Sequence, residues 1–195
     1  MAILRGITPA EAGAHARALL DAGFDAIEVP TNSPDWADSV RAIVQLAPQA
    51  LVGAGTVLTA RHLDQLQAAG GRLAVSPHVD EALVADGVAR GLVALPGAMT
   101  PSEVFAAWRA GAAGVKIFPA GSLGPGHVRA LRAVLPPDLP LLAVGGVSPA
   151  NLADYLRAGC TGAGLGSELY RPGQMPETTA QNAAAFVAAY RDGVH

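Results

Sequence analysis

Eight short apolar runs recur along the chain, each followed by an alanine-rich stretch of helical character, and this repeat constrains the fold more than any other feature. The runs are Ala2–Arg5, Asp25–Val29, Leu51–Ala54, Leu73–Val75, Leu92–Leu95, Gly114–Phe118, Leu141–Val144 and Gly162–Leu165. Each is punctuated by Gly or Pro, as parallel strands buried on both faces are. Helix starts lie between them. Thr8-Pro9-Ala10-Glu11 and Thr100-Pro101-Ser102-Glu103 read as capping boxes with proline at the first helical position. Ser33-Pro34 and Ser148-Pro149 repeat the cap-then-proline device without the glutamate. Ala-Gly pairs at Ala22-Gly23, Ala69-Gly70, Ala110-Gly111 and Ala158-Gly159 read as helix stops.

Such βα units predict an all-parallel sheet, and eight of them fit a closed (β/α)8 TIM barrel, an α/β fold. At 195 residues the chain holds one domain, 1–195, with minimal loops. The alternative, an open doubly wound sheet, would carry a glycine-rich phosphate loop after the first strand. The first run ends instead in Arg5-Gly6-Ile7-Thr8, which favours the barrel.

Composition narrows the function. Hydrophobic residues are 51% and charged residues 15%, which excludes a disordered chain. No apolar run approaches the roughly 18 residues of a spanning helix, and Met1–Ile7 is too short for a signal peptide. A net charge of −3 without a basic cluster argues against nucleic acid. Cys160 is the single cysteine, so no internal disulfide or multi-cysteine metal site is expected. The expectation is a soluble cytoplasmic protein with neither nucleic acid nor membrane as partner.

Of 13 basic residues only Lys116 is a lysine, and it lies inside the apolar run Gly114-Val115-Lys116-Ile117-Phe118. Lysine is rarely buried without a partner or a purpose. Strand alternation puts Ile27 and Val29 toward the helices and Glu28 inside the barrel; likewise Val115 and Ile117 face outward, and Lys116 and Phe118 inward. Barrel sites lie at the C-terminal strand ends. There Arg5, Glu28, Thr56 and Lys116 converge. Glu28 and Lys116 read either as a reacting pair or as a structural ion pair.

Gly145-Gly146 and Gly166-Ser167, after the last two strands, read as a phosphate site, with Ser167–Tyr170 as a short extra helix ahead of Pro172-Gly173. Gly121–Gly126 reads as a loop, either a substrate cover or a plain connection. His15, His62, His78, His127 and His195 show no ligand spacing, so no metal is expected. His78 falls at the mouth, the next three candidates, His15, His62 and His127, on helix surfaces. Cys160 is placed in the core at the opposite end, and Trp36 and Trp108 in packing or interface positions.

A buried lysine beside a carboxylate, without metal ligands, points to Schiff-base chemistry. Desolvation and the Arg5 cation would lower the amine pKa, while an ionised Glu28 opposes them.

At these residues the sequence also resembles a known family. Leu4-Arg5-Gly6-Ile7, Ile27–Pro34, Gly53–Leu58, Lys116-Ile117-Phe118-Pro119, Ala143–Val147 and Gly164–Tyr170 look like the class I 2-dehydro-3-deoxy-6-phosphogalactonate aldolases, relatives of the Entner–Doudoroff 6-phosphogluconate enzymes. The resemblance spans essentially the whole chain. It implies that Lys116 forms the Schiff base and Glu28 shuttles protons. It also implies that Arg5 and Thr56 hold the substrate carboxylate and that Gly145, Gly146, Gly166 and Ser167 bind phosphate. The implied substrate is a phosphorylated 2-keto-3-deoxy sugar acid, cleaved to pyruvate and D-glyceraldehyde 3-phosphate by a homotrimer that needs no cofactor. Against the family pattern the chain is expected to start about ten residues earlier, so that an N-terminal segment is missing or lost; Thr31 replaces a Leu and His78 an Asn. Three rivals stay open: a gluconate or dual-epimer aldolase, a non-covalent phosphate-binding isomerase or epimerase, and a phospho-sugar sensor.

Overall fold

The computed structural model describes residues 1–194; His195 lies outside them. In chain order the elements are β1 (Ala2–Ile3), α1 (Pro9–Asp21), β2 (Ala26–Pro30), α2 (Trp36–Leu46), β3 (Leu51–Gly55), α3 (Ala60–Ala68), β4 (Leu73–Val75), α4 (Glu81–Ala89) and β5 (Val93–Leu95). There follow β6 (Gly97–Ala98), α5 (Pro101–Arg109), β7 (Val115–Ile117), α6 (Ala120–Arg132), β8 (Leu141–Val144), α7 (Leu152–Arg157), β9 (Gly162–Gly164) and α8 (Pro176–Val194). Strand pairing is parallel throughout, in the order β1–β5 and β6–β9.

Two seams join these sheets into a ring. At one, the Ile3 N–H donates to the Leu165 carbonyl at 2.9 Å and the Leu165 N–H to the Met1 carbonyl at 3.0 Å. At the other, the Ala113 N–H reaches the Ala94 carbonyl at 3.0 Å and the Lys116 N–H the Pro96 carbonyl at 2.9 Å. β5 and β6 are therefore two halves of one barrel strand. Proline has no N–H to give, so the ladder breaks at Pro96. The fifth strand does not end at Pro96-Gly97 as its apolar run suggests; it resumes.

Two apolar layers hold the ring. Outside it, Ile27, Val29, Val115 and Ile117 pack with helix residues such as Leu19, Val40 and Val104. Inside it, Leu73, Val75 and Leu95 pack with Met1, Leu51, Val93 and Leu142. This is the alternation expected of the strands, and it leaves Glu28 and Lys116 on the inner face.

The helix starts follow local chemistry in part. Thr100 and Glu103 form the full reciprocal box: the Thr100 N–H donates to the Glu103 carboxylate at 2.8 Å, and the Glu103 N–H to Thr100 Oγ1 at 3.3 Å. At α1 the Glu11 carboxylate accepts from the Thr8 N–H at 3.3 Å. Ser33 and Ser148 are not the caps. α2 begins at Trp36 behind Asp35, because the Ser33 hydroxyl accepts from the Gly6 N–H at 2.9 Å instead. α7 begins at Leu152 behind Asn151, after a turn held by Ser148. The four Ala-Gly stops stand as read, each helix taking the alanine as its C-cap.

His15 is not on a helix surface. It is 1% exposed, with Nδ1 2.8 Å from Thr179 Oγ1 and its ring edge-on to Tyr170. Long-range packing of α1 on α8 buries it. Burial lowers its pKa, with Glu11 and Glu177 opposing. The fold thus favours the neutral ring, and the stability this gives is present above the ordinary histidine pKa and lost as pH falls through it. Between about pH 7 and about pH 5.5 the thermal midpoint is expected to drop more for the wild type than for His15→Gln; parallel curves would contradict this. His62 and His127 are half-buried on α3 and α6. Cys160 is buried, and burial raises its thiol pKa to about 11. Trp36 packs in the core, and Trp108 is 46% exposed on α5. Among the described residues no helix is long and apolar enough to cross a membrane.

Candidate active site

β2 carries Glu28 between Ile3 of β1 and Gly53 of β3, and β7 carries Lys116 between Gly97 of β6 and Leu142 of β8. Glu28 is 2% exposed and Lys116 6%. Among the described residues neither side chain makes a hydrogen bond or a close ion pair, and Glu28 Oε2 is buried without a partner. Burial pushes the Glu28 carboxyl up, with Lys116 and Arg5 pulling it down. Burial pushes the Lys116 amine down; Glu28 opposes and Arg5 adds to the effect. The pair is poised so that the amine sheds and the carboxyl holds a proton near neutral pH more readily than either would in water. The Lys116 ammonium position lies 5.0 Å from the Phe118 ring centroid.

Glycine makes room for both groups. A Cβ at Gly55 would fall 1.8 Å from Glu28 Oε2, and one at Gly97 would fall 2.9 Å from Lys116 Cε and 2.5 Å from the Pro77 carbonyl. Gly55→Ala is therefore expected to displace the carboxylate and cost roughly 100-fold in turnover, the scale of an ångström-sized misplacement of a reacting group. Steady-state kinetics on the folded variant checks this.

Above the pair opens a cavity of about 600 Å³ at the C-terminal strand ends. Arg5, Glu28, Thr56, Lys116, Gly145, Gly146, Gly166 and Ser167 all line it. The exposed Arg5 guanidinium donates to Asn32 Oδ1 at 2.7 Å. At the other side, Gly145 and Gly146 take φ of 87° and 77°, which only glycine adopts freely. Their carbonyls are tied back, to the Gly121 N–H at 2.7 Å and the Asn151 amide at 3.0 Å. Among the described residues, the N–H groups of Gly145, Gly146, Gly166 and Ser167 have no backbone partner, and all four residues line the cavity.

A family model for KDPG and KHG aldolases matches residues 1–184. The chain belongs to the KDPG and KHG aldolase family. It is 53% identical over 195 residues to the 2-dehydro-3-deoxy-6-phosphogalactonate aldolase of Escherichia coli strain K12, covering all of this chain and 95% of that protein. To the KHG/KDPG aldolase of the same organism it is 36% identical over 143 residues, 72% of this chain and 66% of that protein. A solved structure described as native KDPGal superposes with a TM-score of 0.97 at 53% identity, covering 99% of this chain and 94% of that one. The barrel and the aldolase class are thereby established.

Three expectations about this aldolase's cavity change. Ser167–Tyr170 forms a single turn, not a helix, closed by the Leu169 and Tyr170 N–H groups on the Gly166 carbonyl. Four residues ahead of Pro172-Gly173 give no room for more. Gly121–Gly126 is no open loop but the start of α6, interrupted at Gly124 with φ 75° and ψ 165°. Bonds from the Gly121 N–H to Gly145 and from the Tyr155 hydroxyl to the Ala120 carbonyl pin it. His78 does not line the cavity; its carbonyl accepts from the Ser76 hydroxyl, and Pro77 takes the lining position. Among residues the sequence reading missed, Arg171 lines the cavity with Nε 2.9 Å from the Ser167 carbonyl. Its signal was present: a cation four positions beyond Ser167.

Proposed function

We propose that the chain is a class I aldolase cleaving 2-dehydro-3-deoxy-6-phospho-D-galactonate to pyruvate and D-glyceraldehyde 3-phosphate. The observation that carries this reading is the buried Lys116 amine beside the buried Glu28 carboxyl, whose Oε2 has no partner among the described residues, under a cavity edged by Arg5 and glycine loops. In this reading the neutral Lys116 amine adds to the C2 ketone, and loss of water gives the iminium. Glu28 takes the C4 hydroxyl proton as the C3–C4 bond breaks. The bonding electrons pass to the iminium, leaving an enamine and the aldehyde. Protonation of the enamine at C3 and hydrolysis of the iminium release pyruvate and restore the amine. Arg5 and Thr56 hold the carboxylate, and Gly145, Gly146, Gly166 and Ser167 hold the phosphate through N–H groups and the serine hydroxyl. The family resemblance supports these roles, a homotrimer and a cytoplasmic enzyme.

Greater identity to the galactonate enzyme than to the KHG/KDPG enzyme supports the C4 epimer. Pyruvate release from the two epimeric phospho-sugar acids, assayed side by side, tests it. One rearranged hydroxyl contact is worth about 1–3 kcal/mol, so a roughly 10- to 100-fold preference in kcat/KM for the galactonate epimer is expected. Equal rates would make the enzyme a dual-epimer aldolase.

A further inference from the structure

The loop after β2 braces the mouth of the cavity with three consecutive side chains. Asn32 holds Arg5, and Ser33 holds the Gly6 N–H. Thr31 holds the end of β3 at two points: its N–H donates to the Gly55 carbonyl at 2.8 Å, and its hydroxyl donates to the Thr56 carbonyl at 2.7 Å. Thr56 has φ of 56°. For a β-branched residue this left-handed conformation is a genuine outlier, and it persists only where the surroundings enforce it. The next residue is already fixed, since the Val57 N–H donates to the Val75 carbonyl at 3.0 Å. The strained peptide thus sits between two anchors, and the Thr31 hydroxyl is the contact made to Thr56 itself.

We propose that Thr31 is a positioning residue: its hydroxyl holds Thr56 in the left-handed turn that presents it to the keto acid's carboxylate, and so sets affinity for pyruvate. The inference rests on the proposed role of Thr56 as a carboxylate contact. A side chain without a hydroxyl at position 31 would keep the backbone bond to Gly55 and lose the one to Thr56.

The test is a double-mutant cycle read by borohydride trapping, as the pyruvate concentration giving half-maximal adduct. Thr31→Val removes the hydroxyl at nearly constant shape. It is expected to raise that concentration roughly three- to tenfold, the scale of one hydrogen bond. Thr31→Ser is expected to restore the wild-type value. Thr56→Ala is expected to raise it similarly, and the double variant to bind no worse than Thr56→Ala alone. Thermal unfolding is measured beside each. A Thr31→Val protein that loses stability but binds pyruvate like the wild type, while Thr56→Ala binds weakly, overturns the proposal and leaves the Thr56 reading intact. Additive effects in the double variant also overturn it. Unchanged binding in Thr56→Ala refutes the Thr56 reading, and the role of Thr31 with it.

Discussion

Incubation with pyruvate and borohydride is expected to add one reduced pyruvyl group to the wild-type chain, mapped to Lys116, and none to a Lys116→Met variant. Lys116 is the only lysine, so the amino terminus is the sole competing amine. Turnover of the phospho-sugar acid is expected to fall on the order of 10⁴-fold or more, as when a covalent nucleophile is removed. Intact-mass and peptide mapping decide the matter. An adduct confined to the amino terminus, or a Lys116→Met enzyme that still turns over, would move the chain to a non-covalent reaction in which Lys116 is only a charge.

Glu28→Gln tests the other half of the pair. Glutamine keeps the size and loses the proton-carrying oxygen, so turnover should fall roughly 10²–10⁴-fold while slow trapping by pyruvate survives. Stability separates this from a structural pair. Breaking a buried ion pair costs about 3–5 kcal/mol, yet among the described residues Glu28 Oε2 has no partner to lose. The fold raises the Glu28 pKa, mainly through burial. Its contribution is therefore fully present below the ordinary carboxylate pKa and lost as pH rises through the raised value. At neutral pH the glutamine variant escapes that loss and should melt at or above the wild-type temperature. Near-wild-type turnover would remove Glu28 from the reaction; a large drop in melting temperature with activity tracking the folded fraction would restore the ion pair.

What the sequence disclosed and what it hid divide along the range of the forces involved. The strands were legible because a strand buried on both faces is a continuous apolar run, and Lys116 and Glu28 stood out because each breaks one. Period-two alternation then placed both inside. The Thr100–Glu103 box was legible because both partners sit within one turn. Ser33 misled because its hydroxyl had a distant claimant, Gly6 on the first βα loop. His15 misled more: its partner Thr179 is 164 positions away, and helical spacing alone says nothing of α8. Thr56 was identified by its motif, but neither its left-handed backbone nor the Thr31 hydroxyl that donates to its carbonyl, across a strand boundary, shows in local spacing. The place of Arg171 at the cavity was not legible because it depends on the turn after Gly166, which lets the guanidinium Nε donate to the Ser167 carbonyl.

The apolar side chains packed inside the barrel, Leu73, Val75 and Leu95 with Met1, Leu51, Val93 and Leu142, leave the cavity at the C-terminal strand ends as the way to Lys116 among the described residues. Solvent protons and the hydrolytic water enter by the way the sugar phosphate leaves. On the proposed chemistry, an aldehyde phosphate lodged at the mouth acts as a stopper over the enamine. Exchange of the pyruvate methyl hydrogens with heavy water then proceeds only after the phosphorylated half has gone, and product order becomes a property of the barrel's floor as much as of its chemistry.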